Sequence, residues 1–119
     1  MGIRDAAQYQ IPEFSSFERF LFDWLVEKRL DEIDYVFQPQ HIFIEDAEGK
    51  TIVDFLGRLE SIPQDIADVE SRLGISLDLG CFNRTDGAGT YRDAYTSEDM
   101  VNLVREIYAN DIVRFGYEF

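Results

Sequence analysis

An apolar stretch that leads directly into a helix start constrains the fold of this chain more than any other feature. The run Val53-Asp54-Phe55-Leu56-Gly57 is followed by Arg58 and Glu60, and Ser61-Ile62-Pro63-Gln64 has the composition of a helix N-terminus. In open α/β sheets a buried strand is followed in this way by polar side chains, and ligands bind at that edge of the sheet. The sequence therefore predicts a helix-rich α/β domain with a binding site near Arg58 and Glu60.

The composition fits one globular domain and excludes several classes of protein. The chain has 119 residues, 45% of them hydrophobic, and a net charge of −13. This length is enough for one core, and the negative charge is the opposite of the basic surface of nucleic-acid binders. Because Cys81 and His41 are each the single residue of their type, an internal disulfide and a histidine-based metal cluster are excluded. No apolar run approaches the roughly 20 residues of a membrane span, so we expect a cytoplasmic protein without a metal.

Three segments have the apolar spacing of amphipathic helices. They are residues 15–30, 61–74 and 96–112, and each begins with a serine or threonine that can act as an N-cap. Ser61 and Gln64 have the spacing of a capping box, and Gly74 is the expected stop of the second helix. The first helix is apolar on so much of its circumference that it requires burial on two sides.

Two or three short segments have the pattern of strands. Residues 35–37 begin an extended stretch, residues 41–45 alternate, and residues 51–56 are nearly continuously apolar. The last two segments could form a hairpin through the turn at residues 46–49, or the second could pair in a parallel sheet. The triplet Gly49-Lys50-Thr51 matches the end of a phosphate loop, but a strand pattern follows it where such a loop needs a helix, which favours a hairpin turn.

Few side chains are candidates for chemistry. His41 is the obvious general acid or base by residue type, although a histidine bonded to a neighbouring carboxylate or carbonyl is the more frequent structural role. Glu60 could orient an arginine or a substrate hydroxyl, or it could simply add charge to a helix start. Arg58, Arg84 and Arg92 could bind a phosphate together, because guanidinium groups match oxyanions, and two of them lie in a polar, glycine-containing loop.

A series of segments covers nearly the whole chain and carries a resemblance. The segments are Phe37-Gln38-Pro39-Gln40-His41, residues 53–65, Arg72-Leu73-Gly74, Asn83-Arg84-Thr85, Tyr91, Tyr95-Thr96, Tyr108-Ala109-Asn110-Asp111 and Phe115-Gly116-Tyr117. In this order and spacing they resemble the C-terminal half of the sulfotransferase family that includes carbohydrate sulfotransferases. The resemblance implies that residues 1–119 are a single domain with a partial P-loop-type sulfotransferase fold, built from three main helices and two or three short strands.

The resemblance also implies an activity and a set of site residues. The family transfers a sulfuryl group from 3′-phosphoadenosine 5′-phosphosulfate (PAPS) to an acceptor, here expected to be a carbohydrate hydroxyl. Arg58, Arg84 and Tyr91 would bind the nucleotide cofactor, and His41 and Glu60 would be catalytic. The family's phosphosulfate loop and its segment for the 3′-phosphate are absent from this sequence. We therefore expect a domain that is incomplete or inactive alone, and that requires an N-terminal half or forms a homo-oligomer.

Two other functions are compatible with the residues. The chain could be a non-catalytic interaction or oligomerisation module derived from the same fold, with the aromatic first helix and residues 115–119 as its interface. It could also be an acidic domain that binds a cationic partner, as the net charge of −13 indicates. Such binding would weaken strongly in high salt.

Overall fold

Helices dominate the part of the chain that the structure describes. The computed structural model describes residues 6–80 and 89–119, and these residues contain almost no strand. The chain divides into two units, the first made of Met1–Thr51 and Gly89–Phe119 and the second of Ile52–Ala88. Within the described ranges, no helix has both the length and the apolar character needed to cross a membrane.

The first helix, α1, covers residues 17–27 and changes its pitch along its length. It consists of an α-helical turn at Phe17–Arg19, a π-helical segment at Phe20–Trp24 and a 3-10 turn at Leu25–Glu27. The Ser16 hydroxyl caps α1 by accepting a hydrogen bond from the backbone N–H of Arg19 at 3.2 Å. The helix ends earlier than the predicted Leu30 because the backbone of Lys28 is extended.

The core of the first unit lies between α1 and helix α3, which spans Glu98–Ile107. Leu21 and Leu25 of α1 and Met100 of α3 are fully buried. Ser97 caps α3 as predicted, because its hydroxyl accepts a hydrogen bond from the N–H of Met100 at 3.4 Å. The remaining side chains of the core are partly buried and mostly aromatic or aliphatic: Phe17, Phe20, Trp24, Leu30, Ile33, Tyr95, Leu103, Val104, Ile107 and Tyr108.

The third predicted helix is two helices. Helix α4 spans Ala109–Phe115 and follows α3 after Tyr108, where the backbone angles (φ −107°, ψ 28°) leave the helical region. Gly116 ends α4 in the left-handed conformation, with φ of 65°. The break at Tyr108 turns α4 onto the 3-10 turn Gln40–Phe43, which carries His41.

Helix α2, which spans Ile62–Leu73, is the main element of the second unit. It ends at Gly74 with φ of 66°, in agreement with the predicted stop. The predicted capping box does not form, because the Ser61 hydroxyl donates instead to the Asp65 carboxylate at 2.7 Å.

The predicted strands are wrong. The segment at residues 35–37 is the 3-10 turn Tyr35–Phe37, and most of residues 41–45 belongs to the 3-10 turn Gln40–Phe43. Pro39 fixes the backbone just before this second turn, and Asp111 binds the N–H groups at its start. In residues 6–80 and 89–119, strand-type pairing is limited to one antiparallel bridge between Glu45 and Thr51. The described residues therefore do not form the sheet of the predicted α/β fold.

The turn at residues 46–49 forms as predicted, and the bridge between Glu45 and Thr51 is the part of the predicted hairpin that the described residues contain. One carboxylate oxygen of Asp46 accepts hydrogen bonds from the N–H groups of Glu48 at 3.1 Å and Lys50 at 2.8 Å. Gly49 has a φ of 77°, which an L side chain rarely adopts. The Gly49-Lys50-Thr51 triplet is therefore part of a hairpin turn that Asp46 closes, and not a phosphate loop.

Candidate functional site

A buried carboxylate holds His41 in the first unit. Asp111 Oδ1 accepts hydrogen bonds from His41 Nδ1 at 2.6 Å and from the His41 backbone N–H at 2.9 Å. Asp111 Oδ2 accepts a hydrogen bond from the Gln40 N–H at 2.6 Å. The Asp111 side chain is 9% exposed and the His41 side chain is 16% exposed. The pair therefore joins segments 70 residues apart in a largely water-excluded position.

The local sequence explains why the carboxylate binds there. The first N–H groups of any helical turn have no intrahelical acceptors, and a carboxylate is the acceptor that best satisfies them. Asp111 binds the two N–H groups at the start of Gln40–Phe43, and α4 positions it for this contact. The carboxylate is thus both a cap for the turn and an acceptor for the imidazole.

The hydrogen bond to Asp111 determines what the imidazole can do. A carboxylate that already accepts two backbone N–H groups acts as an acceptor toward the ring as well, so Nδ1 carries a proton. In the neutral ring, Nε2 then has the lone pair that can take a proton from another molecule. A carboxylate in this position also stabilises the imidazolium that forms, which is the orienting role that aspartate has in catalytic triads.

A cavity of about 320 Å³ adjoins the imidazole. Its walls combine aliphatic and polar side chains from the first unit: Leu30, Asp31, Pro39, His41, Ile42, Ile107, Tyr108 and Asn110. This volume lies at the small end of the range for ligand pockets, and a mixture of apolar walls with a few polar groups is typical of them. The cavity has room for a small group that bears a hydroxyl, next to a residue that can accept its proton.

Tyr108 forms one wall of this cavity and is held as a neutral phenol. Its hydroxyl donates a hydrogen bond to the Phe37 carbonyl at 2.8 Å. Burial raises the pKa of Tyr108 above its ordinary value, and the negative charge of Asp111 and the neighbouring Tyr95 raise it further. An ionised Tyr108 would lose its donor and face the Asp111 carboxylate.

We expect the protein to lose stability in alkaline solution through Tyr108. The unfolded chain releases the tyrosine proton at a pH of about 10, whereas the folded protein holds that proton to higher pH. The folded state then binds more protons, so the free energy of unfolding falls as the pH rises from about 10 through the raised pKa. Urea denaturation at a series of pH values measures this slope. Tyr108→Phe should lose about 1 kcal/mol at neutral pH with its hydrogen bond but have a shallower alkaline slope, and an unchanged slope would contradict this assignment.

Two of the predicted site residues, Arg58 and Glu60, belong to the second unit. The Arg58 N–H donates to Asp65 Oδ2 at 2.6 Å, and the Ser61 hydroxyl donates to the same oxygen. Both hydrogen bonds lower the pKa of Asp65 below its ordinary value, and the one from the Arg58 backbone has the larger effect. Glu60 is exposed, in the 3-10 turn Leu59–Ser61 that precedes α2.

These contacts bear on whether the turn before α2 could hold the phosphate or sulfate groups of PAPS. An anion at a strand-to-helix turn is bound by backbone N–H groups, and here the Asp65 carboxylate already binds the N–H of Arg58. A second negative group beside Asp65 would also be repelled. The N–H of Arg58 is therefore already bound and does not offer itself to the anionic part of the cofactor, whereas the role predicted for the Arg58 guanidinium stays a prediction.

The third predicted cofactor residue, Tyr91, packs against the C-terminus of the chain. Its ring meets that of Phe119 edge to face, with 6.1 Å between centroids. The Arg92 guanidinium lies over the Phe119 ring at 5.2 Å and over the Tyr91 ring at 5.7 Å. These contacts hold the C-terminal Phe119 ring against the segment that carries Tyr91 and Arg92. Arg84 lies outside the described residues, so its predicted role in cofactor binding stays a prediction.

Asp111 and Tyr108 are the site residues that the sequence did not reveal. Both belong to the segment Tyr108-Ala109-Asn110-Asp111, which contributes to the family resemblance but has no pattern that links it to His41. The signal in the sequence was the expectation that a carboxylate or carbonyl would bond to His41. With 24 acidic residues in the chain, that expectation could not name the partner.

The chemistry available at this site follows from an imidazole fixed by a buried carboxylate, beside a cavity with a neutral phenol in its wall. No protein-family model, curated protein or solved structure matches this chain.

Proposed function

We propose that this chain is the acceptor side of a sulfotransferase, in which His41 is the general base for a carbohydrate hydroxyl. The His41–Asp111 pair beside the cavity is the observation that carries the proposal. It joins two segments of the resemblance, Phe37-Gln38-Pro39-Gln40-His41 and Tyr108-Ala109-Asn110-Asp111. Two segments that are far apart in the sequence thus lie together and form a histidine–carboxylate pair that can accept a proton.

The role proposed for His41 is removal of one proton. The hydroxyl of the acceptor donates to Nε2, and its proton moves to that nitrogen while the oxygen gains nucleophilic character. The imidazolium that forms is stabilised by the Asp111 carboxylate, whose Oδ1 lies 2.6 Å from His41 Nδ1 and accepts a hydrogen bond from it. The neighbouring cavity would hold the acceptor by its apolar walls and orient it through the polar side chains.

PAPS would supply the sulfuryl group, and an N-terminal half, in the same chain or another, would hold its phosphosulfate part. The chain has two lysines, Lys28 and Lys50, and neither is in a phosphate-binding loop. In the turn before α2, the N–H of Arg58 is already bound by Asp65. Arg58, Arg84 and Tyr91 stay predictions as contacts to the nucleotide, and Glu60 stays one as a group that orients an arginine or a hydroxyl.

The test is sulfate transfer by this chain mixed with the separately expressed donor-binding half of a carbohydrate sulfotransferase. Transfer of radiolabelled sulfate from PAPS to a panel of glycans is the readout. His41→Ala and His41→Gln should lower the rate by about 10²–10⁴-fold, the usual contribution of a general base. Asp23→Asn, at an exposed position, is the matched control for the preparation of a variant and for a change of charge. It should leave the rate of sulfate transfer unchanged. Full activity of both His41 variants would disprove the proposed role.

For the alternative of a non-catalytic module, the better interface is in the second unit and not on the aromatic first helix that the sequence indicated. The aromatic residues Phe17, Phe20 and Trp24 of α1 pack within the first unit. They therefore offer little of the predicted interface. The exposed apolar residues of the second unit are the better candidate for contact with another molecule.

A further inference from the structure

The second unit has an apolar face without a core of its own. Helix α2 repeats Ile62, Ile66, Val69 and Leu73 along one side, yet none of the described residues 52–80 is buried. Leu59 is 82% exposed and Leu73 is 64% exposed. A helix of about 12 residues is marginal in water unless its apolar face is covered. This face therefore has the character of a contact surface.

Two carboxylates of α2 shape this surface into a groove. Asp65 binds the N–H of Arg58, in the chain that enters the helix, at 2.6 Å. Glu70 binds the N–H of Leu77, in the chain that leaves it, also at 2.6 Å. Both flanking segments are thus fixed beside α2. Between them lies a cavity of about 330 Å³ whose apolar lining is Phe55, Leu59, Ile62, Ile66, Val69 and Leu77.

The groove lining contains one basic and one acidic residue, Arg58 and Asp65, so it is the charge of the second unit as a whole that selects among the possible occupants. Residues 52–80 contain six acidic and two basic side chains, a formal charge of −4. One of the arginines, Arg72, lies over the Phe55 ring at 5.4 Å. A second copy of this chain would bring the same excess of negative charge, within a total of −13 per copy. Like charges across an interface are unfavourable, whereas a positive partner is attracted and oriented.

We propose that this groove binds a cationic amphipathic helix of a partner protein. Its apolar side chains would contact Leu59, Ile66 and Val69, in the manner of helix-in-groove recognition. Its lysines or arginines would lie toward exposed Glu60 and Asp68. All the residues that line the groove belong to the second unit, so the proposal rests on none of the contacts of His41.

The test uses the full chain and a fluorescent peptide of about 14 residues, long enough for a helix of several turns. The peptide has leucines at helical spacing and lysines elsewhere, and a second peptide has the same composition in scrambled order. We expect saturable binding of the amphipathic peptide by fluorescence anisotropy, and at least about tenfold weaker binding of the scrambled one. Raising the salt from about 0.05 M to about 0.5 M should weaken binding without abolishing it, because ions screen charge but not apolar contact.

Leu59→Asp is the decisive variant, because Leu59 lines the groove and yet is almost fully exposed. Its replacement removes little packing within the protein, so the fold should persist. We expect at least about tenfold weaker peptide binding, which corresponds to the loss of one good apolar contact. Val113→Asp is the matched control, since Val113 is 83% exposed in the first unit, and it should bind as the original chain does.

Three results would overturn the proposal. Equal binding of the scrambled peptide would mean that charge alone attracts it. Equal weakening by Leu59→Asp and Val113→Asp would place the contact away from the groove. Concentration-dependent dimerisation in sedimentation, abolished by Leu59→Asp and without peptide binding, would identify a second copy of the chain as the occupant.

Discussion

Replacing Asp111 by alanine is expected to lower the free energy of unfolding by about 3–5 kcal/mol. The substitution removes the acceptor for the N–H groups of Gln40 and His41 and for the imidazole. Each partly buried donor left without a partner costs about 1–3 kcal/mol. The loss is a large fraction of the stability of a small domain, which is about 5–15 kcal/mol. Urea denaturation followed by the fluorescence of Trp24, in the first unit, measures it.

Asp23→Ala is the control for this experiment. Asp23 forms an ion pair with Arg19 at 2.9 Å, but both side chains are 47% exposed. Water solvates the partner after the substitution, so a cost below about 1 kcal/mol is expected. The two aspartates have contacts of similar length but differ in burial, so a comparison of the two substitutions isolates the effect of burial on the free energy of unfolding. An Asp111→Ala cost no larger than that of Asp23→Ala would contradict the structural role assigned to the buried carboxylate.

The second large effect is expected for Leu21→Ala. Leu21 is 1% exposed and packs with Leu25 and Met100, the fully buried side chains of the first unit. The substitution removes buried apolar surface and leaves a cavity, which together cost about 2–5 kcal/mol for leucine. Few other fully buried residues are described, so the remaining side chains have limited means of compensation. Urea denaturation with Trp24 fluorescence is again the measurement.

Val113→Ala provides the comparison within the same unit. Val113 is 83% exposed on α4, and its truncation should change the free energy of unfolding by no more than about 0.5 kcal/mol. A Leu21→Ala cost below about 1 kcal/mol would mean that the core of the first unit is not formed around Leu21. A cost for Val113→Ala as large as that for Leu21→Ala would mean that α4 is covered by another molecule.

The helices could be predicted from the sequence because their signals are local. The Ser16 and Ser97 caps and the stop at Gly74 all depend on residues within a few positions of one another. The strands failed for the opposite reason. The segment near His41 alternates as a strand does, but Asp111, which lies 70 residues away, binds the N–H groups at its start and stabilises a 3-10 turn instead.

The residues of the candidate site could also be predicted from the sequence only in part. His41 could be selected because it is the single imidazole, but its carboxylate partner could not be selected among 24 acidic residues. Arg58 was chosen for its guanidinium and for its position before a helix, and the hydrogen bond from its N–H to Asp65 could not be predicted. The spacing of residues predicts where a turn could bind an anion. Whether a carboxylate of the same chain already binds the N–H groups of that turn can be seen only in the three-dimensional structure.

The contact between His41 and Asp111 has a consequence for the order in which the protein acquires its parts during synthesis. The contacts that fix the groove in the second unit span seven residues each, so they can form soon after those residues are made. The imidazole obtains its acceptor only when residue 111 is available, and closing so distant a contact is slow in comparison. Because the ribosome releases the chain from its N-terminus onward, a nascent chain contains the residues of the groove before it contains the acceptor that orients its base. A product that stops before α4 would contain every residue of the groove and lack the carboxylate that orients the base.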